Sequence, residues 1–158
     1  MEIVKIPKMR KEEYDDLIRE GCLCRIAFRG DTYPYIAPFL YVFDGRYLYF
    51  LPTRYGRKID YFRSNPSVSV EIDSYSSDLS HYLFVSLQGR LQEVTDPDAG
   101  KKIRKDFLEM IREKRLSRNV LAALGHHPGD PFEVISREDR TLVWKLGGVK
   151  DIVALKNG

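Results

Sequence analysis

Arg57 and Lys58 directly follow Gly56 and open the stretch 57–65, where Ile59 and Phe62 stand three apart as one side of a helix requires. Two cations in a first helical turn are out of place. Helix starts present unpaired N–H groups and the positive end of the dipole, which favour acidic side chains. An anion from outside resolves the conflict. The exposed amides, the Thr53 hydroxyl, a guanidinium and an ammonium together suit a phosphate monoester. Each charge-assisted bond contributes on the order of 1.5 to 3 kcal/mol. The alternative for these residues is a solvated basic helix start.

Other chemistries lack their residues. There is no GxGxxG, no Walker-type Gly-Lys-Ser/Thr, no HExxH and no GxSxG. His81, His126 and His127 are the only histidines, and the adjacent pair precedes Pro128-Gly129 in a loop, where neighbouring positions do not converge on one ion. No metal is expected. No nucleophile stands with a base and an orienting group, so no catalytic residue is assigned. Cys22 and Cys24 are two apart, which makes a bridge strained, and they read as packing residues.

The 158 residues, 43% hydrophobic and 31% charged, suffice for one domain with a core, and we read 1–158 as a single domain. The longest apolar run, 36–43, is far short of the roughly 20 residues that span a bilayer. The N-terminus lacks secretory-signal features, so a cytoplasmic protein is expected. A formal charge of +3 advertises no polyanion partner, although residues 101–118 carry eight basic side chains (Lys101, Lys102, Arg104, Lys105, Arg112, Lys114, Arg115, Arg118) against three acidic ones. We read these as a solvated helix face, and nucleic acid is disfavoured.

Around the basic segment, the pattern predicts a helix over 10–20 stopped by Gly21, strands over 23–28 and 34–43, an Asp44-Gly45 hairpin and a return strand over 46–51. After the 57–65 helix come an alternating strand at 68–72, a serine-rich loop at 74–80 and a strand at 83–94 containing Gly89. A helix follows over 97–115, with 116–124 continuing it or standing apart, then closing strands over 132–136, 141–146 and 152–155. About seven hairpin-connected strands with two or three helices make a mainly β fold, an antiparallel barrel with flanking α-helices.

The order Arg25-Ile-Ala-Phe28, Pro34-Tyr-Ile-Ala-Pro-Phe-Leu-Tyr-Val42, Asp44-Gly45, Leu48-Tyr-Phe50, Gly56-Arg-Lys58 and Asn65-Pro66 before a Val-x-Val strand resembles the pyridoxamine 5′-phosphate oxidase-like FMN-binding split barrels. It is nearest their nitroimidazole-resistance (Nim-like) branch. The similarity runs from about Leu17 to Val94. It implies a homodimer of split β-barrels with FMN in grooves between the subunits. By position it implies that Arg57 and Lys58 grip the FMN phosphate, with Thr53 in the phosphate loop. Pro38, Phe39, Leu40 and Tyr41 then run beside the isoalloxazine, and Leu51 and Pro52 match the next strand's flavin contacts. Phe84 stands five before Gly89, where relatives often have a polar residue near the flavin, and Trp144 is a candidate cap from the partner subunit. Many Nim-like proteins have a histidine where this chain has Leu51, so their substrate chemistry does not carry over. The tail from Lys145 offers no match to the basic and histidine residues with which the oxidases hold substrate, which disfavours vitamin B6 oxidation.

The expected function is therefore that of an FMN-dependent oxidoreductase of unassigned substrate, fed by a nicotinamide donor, in which the protein supplies binding and orientation. The alternatives are a non-catalytic flavin carrier or regulator and a deazaflavin-dependent reductase.

Overall fold

Helix α1, Lys11–Glu20, opens the computed structural model, which describes residues 1–158, and it buries Leu17 and Ile18. Gly21 ends it in ordinary extended backbone (φ −82°), so no left-handed conformation calls for glycine there. The reason is space. A Cβ at residue 21 would lie 2.5 Å from the Tyr41 hydroxyl, which donates to the Ile18 carbonyl at 2.7 Å.

Strands β1 (Leu23–Phe28), β2 (Tyr35–Leu40), β3 (Val42–Phe43) and β4 (Leu48–Phe50) precede helix α2 (Arg57–Ser64). Strands β5 (Ser67–Tyr75) and β6 (Tyr82–Glu93), helices α3 (Pro97–Glu113) and α4 (Val120–Ala123), a 3-10 segment (Phe132–Ser136) and strand β7 (Trp144–Asn157) complete the chain. All seven strands form one antiparallel sheet in the order β2-β1-β5-β6-β7-β4-β3. Its two edges, β2 and β3, are successive in sequence with only Tyr41 between them. The sheet must therefore curl back on itself. This is the mainly β half-barrel with flanking helices that the sequence predicts.

Four predicted strands differ. The run 34–43 breaks at Tyr41, whose N–H donates to Cys22 O, because its first part pairs with β1 and its last two residues pair with β4. Residues 132–136 form a 3-10 segment, with Val134 N donating to Pro131 O and only Ile135 fully buried. The strands expected at 141–146 and 152–155 are joined as β7, since the long partner β6 carries the ladder past Gly147 and Gly148.

Period-two alternation divides the apolar residues between two cores. Cys24, Ile26, Phe28, Val70, Ile72, Val85 and Leu87 point into the barrel. In β3, β4 and the approach to β7 both faces are covered: Leu48, Phe50 and Trp144 point inward, while Val42, Leu51 and Val143 pack under α3 with Ile103 and Phe107. The two cysteines lie against different cores, Cys24 within the barrel and Cys22 at the edge of the second cluster. Burial pushes the Cys24 thiol far up, so it stays protonated and packs. No helix is long and apolar enough to cross a membrane.

The basic segment is not a uniformly solvated face. Arg104 is buried, with its guanidinium donating to Thr141 Oγ1 at 2.6 Å and Thr141 O at 2.8 Å. Lys102, Lys105 and Arg112 pair with Asp106, Glu109 and Glu133, and Lys114 and Arg118 donate to backbone carbonyls. Three of the eight cations are ion-paired and three more donate to neutral oxygens within the chain.

The outward face of β2, β1, β5 and β6 mixes exposed Leu23, Ile36 and Pro38 with an Arg25–Glu71–Asp73 cluster. Glu71 Oε1 is buried without a hydrogen bond, 3.8 Å from Arg25 Nη1. Burial and then the neighbouring Asp73 push its carboxyl up to about 7, against the pull of Arg25. The folded chain thus holds this proton more tightly than the unfolded one. The contribution is complete below the ordinary glutamate value of 4.5 and is lost as pH rises through 7. Glu71→Gln should therefore flatten the fall in urea midpoint between pH 5 and 8. A variant that tracks the wild-type profile would remove Glu71 as its source.

Candidate functional site

Thr53, Gly56, Arg57 and Lys58 meet where the loop after β4 enters α2. Gly56 is the helix N-cap, with no side-chain cap and with φ 104°, ψ 176°, a region essentially closed to other residues. Helix α2 is held by burying Ile59 and by stacking Phe62 on Trp144 at 4.8 Å and Tyr61 on Tyr35 at 5.5 Å. Its apolar side closes the barrel end, so its basic first turn is fixed at the rim.

Neither Arg57 nor Lys58 has a carboxylate partner, although Asp60 lies in the same turn. Arg57 is exposed and Lys58 half-buried. Burial alone holds the Lys58 ammonium below its ordinary pKa. A Cβ on residue 56 would sit 3.8 Å from Lys58 Nζ, so the ammonium lies over the loop. A partly desolvated cation without a counter-charge, beside a helix start, is the electrostatic arrangement that an anion stabilises.

The loop is strapped from a distant segment. Leu142 N donates to Pro52 O at 2.9 Å, Arg54 N to Arg140 O at 3.3 Å, and the Arg54 guanidinium to Glu138 O at 2.6 Å. Thr53 bridges Thr141, the residue that Arg104 holds. Sequence reading missed the strap and Arg104, because their partners lie 31 to 84 residues away and no local pattern marks them.

The other predicted residues are dispersed. Pro38 is exposed on the outward face of β2 and Leu40 is half-buried, whereas Phe39 and Tyr41 point into the barrel core. Leu51 packs beneath α3, and Pro52 and Thr53 are buried in the strapped loop, with Thr53 Oγ1 3.4 Å from Tyr55 O. Phe84 is half-buried on β6, one outward position from Ser86, which the register Pro38–Arg25–Glu71–Ser86 places three strands from Pro38. At about 4.8 Å per step, that is about 14 Å. Trp144 is fully enclosed among Phe28, Phe39 and Phe62. A cavity of about 640 Å³ lies elsewhere and includes neither Arg57 nor Lys58.

Gly56→Ala forces a side chain into the N-cap conformation and should cost about 1–3 kcal/mol. Urea unfolding checks this. A loss below a few tenths would mean that the loop relaxes freely.

A family model described as pyridoxamine 5′-phosphate oxidase matches residues 10–129. An uncharacterized protein of Rhizobium meliloti (strain 1021) is 38% identical over 86 residues, 54% of this chain, and the chain spans 56% of that relative's length. Among solved structures, an FAD-binding protein from Mesorhizobium loti superposes with a TM-score of 0.68 at 19% identity, covering 96% of both chains. A candidate 5-nitroimidazole antibiotic resistance protein from Bacteroides thetaiotaomicron gives 0.63 at 14% identity, over 96% of this chain and 90% of that one. The heme storage protein HutZ from Vibrio cholerae gives 0.68 at 14% identity, over 94% and 96%. At these identities the structural likeness establishes the fold.

Proposed function

Because this chain belongs to the pyridoxamine 5′-phosphate oxidase family, we propose that it binds FMN and works as a flavin-dependent oxidoreductase. The observation that carries this reading is the unpaired Arg57–Lys58 pair at the rim, with Lys58 partly desolvated and the loop before it strapped in place. Arg57 and Lys58 hold the phosphate, the first α2 amides complete its shell, and Thr53 keeps the loop shaped. Strand β2 is a sheet edge paired only with β1, which leaves ladder groups free on its other side to match the pyrimidine end of a flavin. Pro38 and Leu40 supply the apolar margin there. When bound, FMN supplies the electron transfer, consistent with a chain that shows no acid–base dyad of its own.

The reading includes a homodimer. Pro38 and Phe84 stand three strands apart on one outward face, and the partner subunit's Phe84 is the copy placed against the ring beside Pro38. The exposed Leu23, Ile36 and Val153 on the same outward face are the kind of surface a second copy covers. Trp144, enclosed in its own core, plays no direct part. Oxidation of a vitamin B6 phosphate is not proposed, since the residues from Lys145 onward lie in β7 and add no histidine.

Denaturing freshly purified protein and identifying the released molecule by absorbance and mass tests the cofactor. FMN is the expected product. A colourless protein that also fails to bind added FMN sinks the reading, and release of FAD, heme or a deazaflavin replaces the cofactor. Repeated turnover of the bound flavin with NADH or NADPH separates an enzyme from a carrier.

A further inference from the structure

The 640 Å³ cavity opens on the outward face of β1, β5 and β6, beside the part of that face which the proposed second copy covers, and is built from the β1–β2 turn (Arg29, Gly30, Thr32, Pro34), the start of β5 (Ser67, Val68, Ser69), β6 (Gln88, Gly89, Arg90) and β7 (Gly148, Lys150). It shares no residue with the Thr53–Lys58 loop. We propose that it is a second ligand site, for a small polyanion carrying two or more phosphate or carboxylate groups. This does not rest on the flavin reading.

Three cations from three separate segments, Arg29, Arg90 and Lys150, line one concave surface with no acidic side chain among them. None forms an ion pair, whereas Lys102, Lys105 and Arg112 on α3 each have a carboxylate. Asp31 and Asp151 are the nearest acids in sequence, and neither lines the cavity. The neutral lining is donor-rich: the side chains of Thr32, Ser67, Ser69 and Gln88 make no hydrogen bond within the chain. Like charges gathered in a groove repel one another and raise its potential, and a multiply charged anion relieves this.

The backbone sets this convergence. The β6–β7 register breaks between Gln88 and Arg90, so that one residue of β6, Gly89, faces the three-residue excursion of β7 over Gly148, Val149 and Lys150. Such a bulge re-aims side chains and takes backbone groups out of the ladder. It carries Lys150 to the same mouth as Arg90, and nothing lies within 4 Å of a Cβ on Gly148. The volume falls in the range of small-molecule sites, about 300–1,000 Å³. A pocket of this size lined by three unpaired cations suits a compact polyanion better than an extended one.

Titration calorimetry of the full chain at low salt, with pyrophosphate, ATP and citrate as probes, tests the proposal. At least one probe should bind, more weakly as salt rises, and the Arg90→Ala/Lys150→Ala double variant should lose at least tenfold while keeping its far-UV circular dichroism and its FMN titration. A stronger response to pyrophosphate assigns phosphate chemistry, and a stronger response to citrate assigns carboxylate chemistry; both uphold the site. Absence of heat with all three probes at millimolar concentration overturns it. So does binding that survives in the double variant and disappears in Lys58→Ala, which would place the anion at the α2 start.

Discussion

Lys58→Ala should weaken the proposed FMN binding roughly ten- to hundredfold, about 1.5–3 kcal/mol, and leave the urea midpoint nearly unchanged. The effect is large because the Lys58 ammonium is half-buried, free of any carboxylate and held over a loop that cannot shift without breaking its strap to 138–142. Its desolvation is already present before the anion arrives, so a phosphate gains a strong charge-assisted bond without that cost. Arg57→Ala should cost less, since Arg57 is exposed and more screened by solvent. Lys58→Arg should recover part of the affinity. Quenching of FMN fluorescence on titration measures all three, and an unchanged isotherm for Lys58→Ala would move the phosphate grip elsewhere.

Trp144→Ala should destabilise the fold by about 3–5 kcal/mol, a large share of the 5–15 kcal/mol that holds a typical domain together. Trp144 is fully enclosed, and its ring centroid lies 6.1 Å from Phe28, 6.0 Å from Phe39 and 4.8 Å from Phe62. It joins four elements at once: the barrel strands β1 and β2, the helix α2 and its own strand β7. Removing it opens a cavity where α2 closes the barrel, so the cost passes to the Thr53–Lys58 loop as well. Trp144→Phe should cost much less, because it keeps most of the aromatic packing and removes an indole N–H that is buried without a partner. Urea unfolding followed by far-UV circular dichroism compares the three proteins. A Trp144→Ala protein with nearly native stability but lost flavin affinity would return this residue to the cofactor surface.

Short-range signals were readable directly. The alternation of Val68, Val70 and Ile72 with polar neighbours, the Asp44-Gly45 turn and the spacing of Ile59 and Phe62 each depend on residues a few positions apart, and the corresponding elements form. Adjacent Arg57 and Lys58 at a helix start were legible for the same reason: an anion-seeking first turn is a local property of backbone and charge. The helical face 97–113 was equally plain, yet Arg104 within it could not be told from its solvated neighbours. Its burial is decided by Thr141, 37 residues later, in a segment with no periodicity of its own.

From the amino-acid order alone came most of the strands, the helices, the barrel class and the two cations in the first turn of α2, because all of these follow from periodicity and near-neighbour chemistry. Tertiary structure alone decided that Trp144 and Leu51 are interior residues, that 138–142 straps the loop, and that Arg29, Arg90 and Lys150 share one cavity. Those outcomes depend on sheet curl, on a bulge between β6 and β7 and on contacts between residues tens of positions apart, where the free energy resides in the pairing and in neither partner's local sequence.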